Sequence, residues 1–253
     1  NALAGMILIE SNDPTKETEA YIEQTIGSRD TFTSTGVVSG TLIEDKLLGR
    51  LALQRNVTDG YMENTYLNKD NTNNLDEMTG KAKLRWLASD DLTLDFTAIH
   101  LDKDNGYDAF TLDNSFKTES DTPGEDILES KAYGINAKWD INNKVRMEAS
   151  ASKSSSDIDY NYDLDWVNTA TFATLAEVNN CNDDDDANDG ICPYNGAEQF
   201  LRKRNNNTVD IRLLSSDNGR IFNKTTDWVV GIYQNNQDEK STQNYIDLDY
   251  DAV

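Results

Sequence analysis

Two cysteines enclose a strongly acidic stretch of the chain. Cys181 and Cys192 are separated by ten residues, and the segment 182–190 between them includes four consecutive aspartates. If the protein is assembled outside the reducing cytoplasm, two cysteines at this spacing in an exposed loop are expected to form a disulfide. A reduced pair is the alternative.

The enclosed acids resemble the start of a calcium-binding loop. Asp184, Asp186 and Asn188 alternate as the first ligands of an EF-hand do. An EF-hand also needs glycine at its sixth position and glutamate at its twelfth, whereas this chain has Asp189 and Asn195 there. Calcium in the 182–190 loop is therefore one hypothesis, a solvated acidic loop is the other, and no other cofactor is expected.

The residue types present give little support for a catalytic function. His100 is the single histidine, so no second Ser-His-Asp or Cys-His set is available beyond it. A position at the rim of a strand explains His100 better than a role as a metal ligand. Carboxylates are frequent, but in acidic loops their spacing carries no catalytic meaning. The sequence predicts a protein that is not an enzyme.

The rest of the chain alternates apolar and polar residues with a period of two. This pattern predicts about nine or ten strands, each with one apolar and one wet face. The segments are Thr18–Ile26, Thr33–Leu42, Leu47–Val57, Lys81–Leu87, Leu92–Leu101, Tyr133–Ile141, Val145–Ser152, Val209–Leu213 and Trp228–Ile232.

Short and long connections alternate along the chain. Four short turns are rich in Asp, Asn and Ser, which tolerate turn dihedrals: Ile43–Lys46, Ala88–Asp91, Asp140–Asn143 and the somewhat longer Ser215–Thr225. Between them we expect three long loops, namely Asn56–Met78, Asp102–Glu129 and Ser154–Asn207. Long loops on one side and tight turns on the other are typical of an up-and-down barrel in an outer membrane. We therefore predict an all-β, antiparallel up-and-down meander that forms part of a transmembrane β-barrel with long extracellular loops.

Three tryptophans agree with this interpretation. Trp86 and Trp139 come just before tight turns, and Trp228 comes just after one. All three fall on the apolar face of a predicted strand, which suits a belt at one membrane interface. Ordinary core tryptophans are the alternative.

Charge and hydropathy exclude two classes of function. The formal net charge is −23, which disfavours binding to nucleic acid phosphates. The mean hydropathy of −0.70 is too polar for a transmembrane helix, although barrels hide their apolar residues by alternation. The range Ser154–Asn207 holds eleven acidic and three basic residues. This excess forms either a solvated surface or a mouth that attracts cations.

Several motifs, in order, resemble those of TonB-dependent outer-membrane receptors. The segment NALAGMILI at 1–9, followed by Asp13-Pro14-Thr15, resembles the junction at which the plug of these receptors ends and the barrel begins. Glu10-Ser11-Asn12 stands where the family usually has Thr-Lys. Further similar stretches are Gly36–Leu42, Asp45–Ala52, Asp59–Tyr61, Gly80–Trp86 and Arg212–Ser216.

The resemblance implies a division of the chain and a larger protein around it. Residues 1–15 would be the end of the plug and the junction, and residues 16–253 the N-terminal portion of a barrel of about 22 strands. The chain starts without Met and has fewer strands than such a barrel, so we expect it to be a piece of a longer chain. TonB would bind a segment that precedes it.

The resemblance also implies a function, namely active import across the bacterial outer membrane with energy from TonB. The partners would be outer-membrane lipid, TonB and a small-molecule cargo, usually a ferric siderophore and sometimes cobalamin, haem or a saccharide. The acidic loops favour a neutral or cationic cargo. Aromatic side chains provide rigid contact area for a ligand, and packing within the loops is the alternative for each one. The candidates are Tyr61, Tyr66, Tyr107, Phe110, Tyr160, Tyr162 and Trp166.

Two other classes compete with the importer. A passive porin or a structural barrel shares the alternation but lacks the junction at 1–15. A secreted calcium-binding adhesion module would bury both faces of its sheets and remain soluble without detergent.

Overall fold

The chain forms one large antiparallel sheet. The computed structural model describes residues 10–172, 174 and 195–247. Its elements in chain order are β1 (Glu19–Ile26), β2 (Phe32–Ile43), β3 (Leu47–Thr58), β4 (Glu63–Asn64), β5 (Leu75–Ser89), β6 (Leu92–Gly106), β7 (Lys117–Thr118), β8 (Glu125–Asn142), β9 (Val145–Asp163), β10 (Gly196–Ser215), a 3₁₀ turn (Asp217–Gly219) and β11 (Val229–Asp247).

Nine of these strands pair in chain order. The sheet runs β1-β2-β3-β5-β6-β8-β9-β10-β11, and each strand is antiparallel to the next. Over the described residues β1 and β11 are the two edges, so the sheet is open. The predicted all-β, up-and-down meander is confirmed. Within the same residues no helix is long and apolar enough to cross a membrane.

The two faces of the sheet have opposite character. On one face, which we call luminal, polar side chains from five strands line a shared groove: Lys83, Thr97, Asn136, Ser150 and Arg212. The opposite, outward face carries the apolar set, which stays in register from strand to strand: Leu47, Trp86, Leu94, Ala137, Ala149, Ile211 and Ile232. The side chain of Ile232 remains 75% exposed and that of Trp86 45% exposed, so this apolar face is uncovered.

The apolar band shifts along the strands as the sheet proceeds. Four residues further from the turns, the paired outward positions are apolar from β3 to β8 and polar from β9 to β11: Leu51, Ala82, Ala98, Tyr133, Lys153, Asn207 and Asn236. A band of constant height must cross the hydrogen-bonded rows obliquely when strands are tilted against it. The shift is therefore the pattern expected for tilted barrel strands.

The short connections lie where the sequence predicted them. They occupy 44–46, 90–91, 143–144 and 216–228, all at one end of the sheet, which we call the turn end. Three of them follow a β-bulge, at Thr41/Ile43, Leu87/Ser89 and Asp140/Asn142. Bulges increase local twist and are frequent at the rims of barrels. They help the strands to bend where they enter the turns.

The long connections are shorter than predicted because the strands are longer. The loops at the opposite end, which we call the outer end, span 59–74, 107–124 and 164–195, so the ranges Asn56–Met78, Asp102–Glu129 and Ser154–Asn207 were wrong at their edges. A tilted strand needs about 9–11 residues to cross a bilayer, whereas β9 has 19. At residues 153–163 of β9 every outward position is polar, so the surplus lacks the outward apolar side chains that mark the rest of the strand.

One outer connection breaks the predicted parity. The link 27–31 between β1 and β2 lies at the outer end but has only five residues. Arg29 and Asp30 both adopt positive φ, and the Arg29 carbonyl accepts a hydrogen bond from Asp59 N at 3.0 Å. This short turn is therefore tied to the base of the first long loop.

The orientation of the two faces can be tested in the full-length protein. Leu94→Arg would place a charge on the apolar band and should reduce stability by about 2–4 kcal/mol if the site lies near the bilayer midplane. Thr97→Arg, on the luminal face of the same strand, should cost much less. Urea titration in liposomes measures both variants. Equal losses, or equal labelling of cysteines at Leu94 and Asp95 by a water-soluble reagent, would contradict the assignment.

Candidate functional site

The luminal groove has a volume of about 470 Å³ and a mixed-charge wall. Basic and acidic side chains face each other across neighbouring strands, as Arg85 and Asp95 do at 2.6 Å. Arg212 and Asp210 pair along a single strand, β10, further along the sheet. Because the charges are paired, the groove is polar without a strong net sign.

A segment that precedes β1 crosses this groove. Lys81 Nζ donates to Ser11 Oγ at 2.6 Å, and Lys83 Nζ donates to the Ser11 carbonyl at 2.8 Å. Asp13 accepts from Lys83 at 3.1 Å and from Arg85 at 2.8 Å. These three cations are consecutive luminal positions of β5, so the alternation of a single strand creates the contact. The segment is thereby held on the luminal side of the sheet.

Six aromatic rings meet on the luminal face at the outer end. Tyr160 and Tyr162 stand on β9, on the same face as Ser150, because no bulge interrupts this part of the strand. Phe200 on β10 is the cross-strand partner of Tyr160. Loop residues Tyr107, Phe110 and Trp166 complete the group. We call these six residues the ring cluster.

The rings form a chain of contacts with centroid distances between 4.7 and 6.0 Å. Phe110 and Trp166 stack at 5.1 Å with planes 10° apart, whereas Tyr107 meets Tyr160 edge-on at 4.7 Å. Such pairs are each worth about 0.5–1.5 kcal/mol beyond their area burial. Trp166 remains 39% exposed. The cluster is thus a packed aromatic surface, with the partly exposed indole of Trp166 at its edge.

Five of the seven aromatic residues predicted from the sequence belong to the cluster. Tyr61 instead packs edge-on against Phe116 at 5.9 Å, with the Arg29 guanidinium 5.9 Å from its ring centroid. Tyr66 is exposed and stands apart from both groups in the described ring contacts. Phe200 was missed because its segment was assigned to a loop. Extending the period-two alternation of β10 past its polar residues would have placed it beside Tyr160.

Polar groups border the ring cluster on its strand side. The Tyr162 hydroxyl and Gln243 Nε2 both hydrogen-bond the carboxylate of Glu198, which is 6% exposed. Arg202 lies 5.7 Å from the centroid of Phe200. Lys103 bridges Glu77 and Asp126 below the rings, at 3.5 and 3.6 Å. A ligand at the rings would meet both signs of charge.

Two acidic residues that the sequence placed in a loop face away from this surface. Asp157 and Asp159 are strand residues on the outward face, opposite in parity to Tyr160. Asp157 pairs with Lys203 at 3.0 Å. These two carboxylates therefore do not belong to the wall that a luminal ligand would meet.

Two outer loops are joined by a buried polar group. Asn64 Nδ2 donates to Asp108 Oδ2 and to the Ser120 carbonyl, both at 2.8 Å, and Thr118 Oγ1 donates to Asp108 at 2.8 Å. All four residues are at most 3% exposed. Beside them β4 and β7 pair in parallel. Buried carboxylates persist only when they are hydrogen-bonded, so this group fixes loop 107–124 on loop 59–74.

A glycine closes the first of these loops at its base. Gly60 has φ +86°, and a Cβ there would lie 1.9 Å from the Asn73 carbonyl oxygen. Any side chain would force the two ends of loop 59–74 apart.

The third loop docks on the second through side chains near its start. Asn168 Nδ2 donates to the Glu119 carbonyl at 3.2 Å, and Thr171 Oγ1 donates to the Glu119 carboxylate at 2.7 Å. Val167 is 2% exposed between them. The three loops thus form one connected assembly that carries the loop members of the ring cluster.

Some predicted sites lie outside the described residues. Cys181, Cys192 and the calcium candidates Asp184, Asp186 and Asn188 all fall in 175–194, and the motif at 1–9 precedes Glu10. The disulfide and the calcium site remain predictions. In the part of the chain that the structure describes, no three His, Cys, Asp or Glu side chains are grouped to hold a metal ion.

The loop assembly makes a testable prediction. Asn64→Ala leaves the buried Asp108 carboxylate and the Ser120 carbonyl without a shared donor, which should cost about 1–3 kcal/mol. Amides of both 59–74 and 107–124 should then exchange faster with deuterium in the full-length protein. Asn71→Ala, an exposed change in the same loop, is the control. Faster exchange in 59–74 alone would contradict the coupling of the two loops.

Solved structures with this fold include two uptake or outer-membrane receptors and a copper transporter. The ferric yersiniabactin uptake receptor FyuA from Yersinia pestis matches with a TM-score of 0.72 and 18% identity, over 94% of this chain and 33% of that one. The pyoverdine outer membrane receptor FpvA from Pseudomonas aeruginosa PAO1 matches with a TM-score of 0.62 and 16% identity, over 91% and 32%. The copper transporter OprC matches with a TM-score of 0.51 and 11% identity, over 95% and 33%.

These matches establish the fold and its extent. No protein-family model matches the sequence. The chain spans about one third of the length of each of these three structures. Each match takes in at least 91% of this chain, so most of the nine-stranded meander is covered. The chain therefore has the fold of part of the β-barrel of TonB-dependent outer-membrane receptors.

Proposed function

We propose that this chain is part of an active importer of the bacterial outer membrane. In the complete protein it would form the first strands of the barrel, with the apolar face toward lipid and the long loops toward the outside. The observation that carries the proposal is the ring cluster, because it presents aromatic surface on the luminal side of the outer end, where a ligand entering the barrel must pass. Ligand sites are commonly built from such aromatic walls with a few polar groups.

We propose that residues 1–15 end the plug and that 16–253 belong to the barrel. The position of Ser11 and Asp13 on the luminal face supports this division, because a chain leaving a plug inside the barrel must cross that face before it enters β1. Binding of TonB would then involve a segment upstream of this chain, and TonB would supply the energy for import.

We propose a ferric siderophore as the cargo. FyuA and FpvA are described as receptors for ferric yersiniabactin and pyoverdine, and OprC as a copper transporter, so metal or metal-chelate uptake recurs on this fold. The mixed charges beside the rings, Arg202 and Glu198, do not restrict the cargo to a neutral or cationic chelate. Cobalamin, haem and saccharides are the competing cargoes.

The outward face argues against a secreted calcium-binding module. Such a module buries both faces of its sheets, whereas here large apolar side chains such as Trp86 and Ile232 are exposed. A passive porin shares this face. It has no need for a segment bound across its lumen, and the contacts of Ser11 and Asp13 therefore favour the importer.

Uptake assays test the cargo. A strain that lacks the full-length gene should fail to grow on one ferric siderophore as sole iron source and should grow normally on other nutrients. Unchanged uptake of every iron chelate, with loss of cobalamin or of an oligosaccharide, would remove the siderophore proposal but keep the importer class.

Binding by variants tests the site. Tyr160→Ala in the full-length protein removes the central ring of the cluster and should weaken cargo binding about tenfold or more, as loss of a buried aromatic anchor commonly does. Tyr133→Ala is the control, since Tyr133 lies on the outward face and is 59% exposed. Equal weakening by the two changes would contradict a luminal ring site.

A further inference from the structure

The last residue of β9 holds the turn that carries Trp166. Asp163 Oδ1 accepts hydrogen bonds from the backbone N–H groups of Asp165, at 3.1 Å, and Trp166, at 3.2 Å. The residue is 5% exposed, and within the part of the chain that the structure describes its second oxygen, Oδ2, is buried with no hydrogen-bond partner within 3.5 Å. A buried carboxylate with one unpaired oxygen is costly when ionised.

Trp166 depends on this turn for its conformation. Its φ of +66° lies in the left-handed region, which is unusual for a bulky residue and must be imposed by its surroundings. Val167 next to it is buried, and its N–H donates to Asp165 Oδ1 at 3.1 Å. In this arrangement the indole stacks on Phe110 with planes 10° apart. Loss of the Asp163 contacts would let the indole leave the ring cluster.

We propose that Asp163 is a positioning residue for the ring cluster, whose carboxyl group fixes Trp166 against Phe110 while it is protonated and releases it on ionisation. The arrangement of Trp166 stands on the contacts above. Its consequence for cargo rests on the proposed function, in which the ring cluster is the ligand surface.

The charged environment gives the direction of the pH dependence. Burial raises the pKa of Asp163 to about 7, and the like charge of Asp165 adds to the rise, whereas the nearby Ser120 hydroxyl and the N–H groups of Asp165 and Trp166 lower the pKa without cancelling it. The segments next to Asp163 carry several carboxylates, namely Asp165 on the same turn, Glu119 and Asp121 on loop 107–124 and Glu198 on β10. The basic side chains of loop 107–124 and of β10 are engaged elsewhere: Lys117 with Glu63, Arg202 at the Phe200 ring, Lys203 with Asp157, Arg204 with Glu239 and Arg212 with Asp210. Ionisation of Asp163 therefore adds a negative charge to an acidic surrounding.

The sign follows from proton binding. The docked turn keeps a proton on Asp163 up to a pH of about 7, whereas an undocked, solvated carboxyl loses it near its ordinary value of 3.8. Between these values the docked state binds more protons, so docking weakens as the pH rises through this window and changes no further above it. The stack of Trp166 on Phe110 should be firm at pH 5 and loosened at pH 8.

Fluorine NMR of the full-length protein labelled with 5-fluorotryptophan tests this directly. The resonance that Trp166→Phe removes is assigned to Trp166. In the unmodified protein it should shift between pH 5 and pH 8, with a midpoint between pH 5 and 7, because docking changes no further above the pKa of about 7 in the docked state. Asp163→Asn keeps an oxygen acceptor and no charge, so it should hold the pH 5 position throughout. Asp163→Ala, without an acceptor, should show the released position at every pH.

The control and the cargo assay separate the possible failures. Asp157→Asn makes the same change of charge on the outward face of β9 and should leave the titration of Trp166 intact. A Trp166 resonance that does not respond to pH, or one that titrates normally in Asp163→Asn, would overturn the proposal. If the resonance behaves as expected and no iron chelate, cobalamin or saccharide binds, the positioning role of Asp163 stands and the proposed import function fails.

Discussion

The hydrogen-bonded ladder between neighbouring strands is the constraint on which the rest of this structure depends. In the hydrocarbon of a bilayer no water is available, so every backbone N–H and C=O group must find its partner within the protein. The ladder runs through nine strands, and its irregularities at Thr41/Ile43, Leu87/Ser89 and Asp140/Asn142 all lie next to the turns. Because the register is uninterrupted above them, each side chain keeps its face along the whole strand. One strand, β9, therefore presents Ser150 to the luminal groove and Tyr160 to the ring cluster on the same side.

The alternation of side chains between the two faces has different consequences at the turn end and at the outer end of the strands. Near the turn end it separates an exposed apolar band from a luminal wall of paired charges, and three successive luminal positions of β5 bind the segment at Ser11 and Asp13. At the outer end the strands leave the region that lipid would cover, and the outward face becomes largely polar. There the outward positions hold ion pairs such as Asp157 with Lys203, whereas the luminal positions hold aromatic rings. Continuous strands thus place a rigid aromatic surface well beyond the apolar band.

The sequence was informative where one face meets an apolar environment and uninformative where neither does. The tight turns, the order of the strands and the apolar faces were predicted correctly, because a sheet with one apolar and one polar face demands strict alternation. The outer halves of β8, β9 and β10 were taken for loops, since residues such as Ser154, Asn205 and Asp157 carry no such pattern. That error hid Phe200 and made Tyr160 and Tyr162 appear to be loop residues. The contact between the loops through Asn64 and Asp108 could not be predicted from the sequence either, because it depends on a hydrogen bond between residues 44 positions apart.

Hydrogen bonds between buried polar groups determine how the outer loops are arranged on one another. Asp108 accepts hydrogen bonds from Asn64 and Thr118 on Oδ2, and neither of its oxygens is a buried atom without a partner, so the junction of the first two loops is firmly held. Among the described residues, Oδ2 of Asp163 is buried without such a partner, so the position of Trp166 is held less firmly and, on our proposal, responds to ionisation. Fully satisfied buried polar networks rigidify a structure, whereas an unpaired buried polar atom is costly. The ring cluster combines the two, with Tyr107 and Phe110 on the firm junction and Trp166 on the responsive one. This difference makes Trp166, rather than any ring on a strand, the member of the cluster whose position can change without disturbing the sheet.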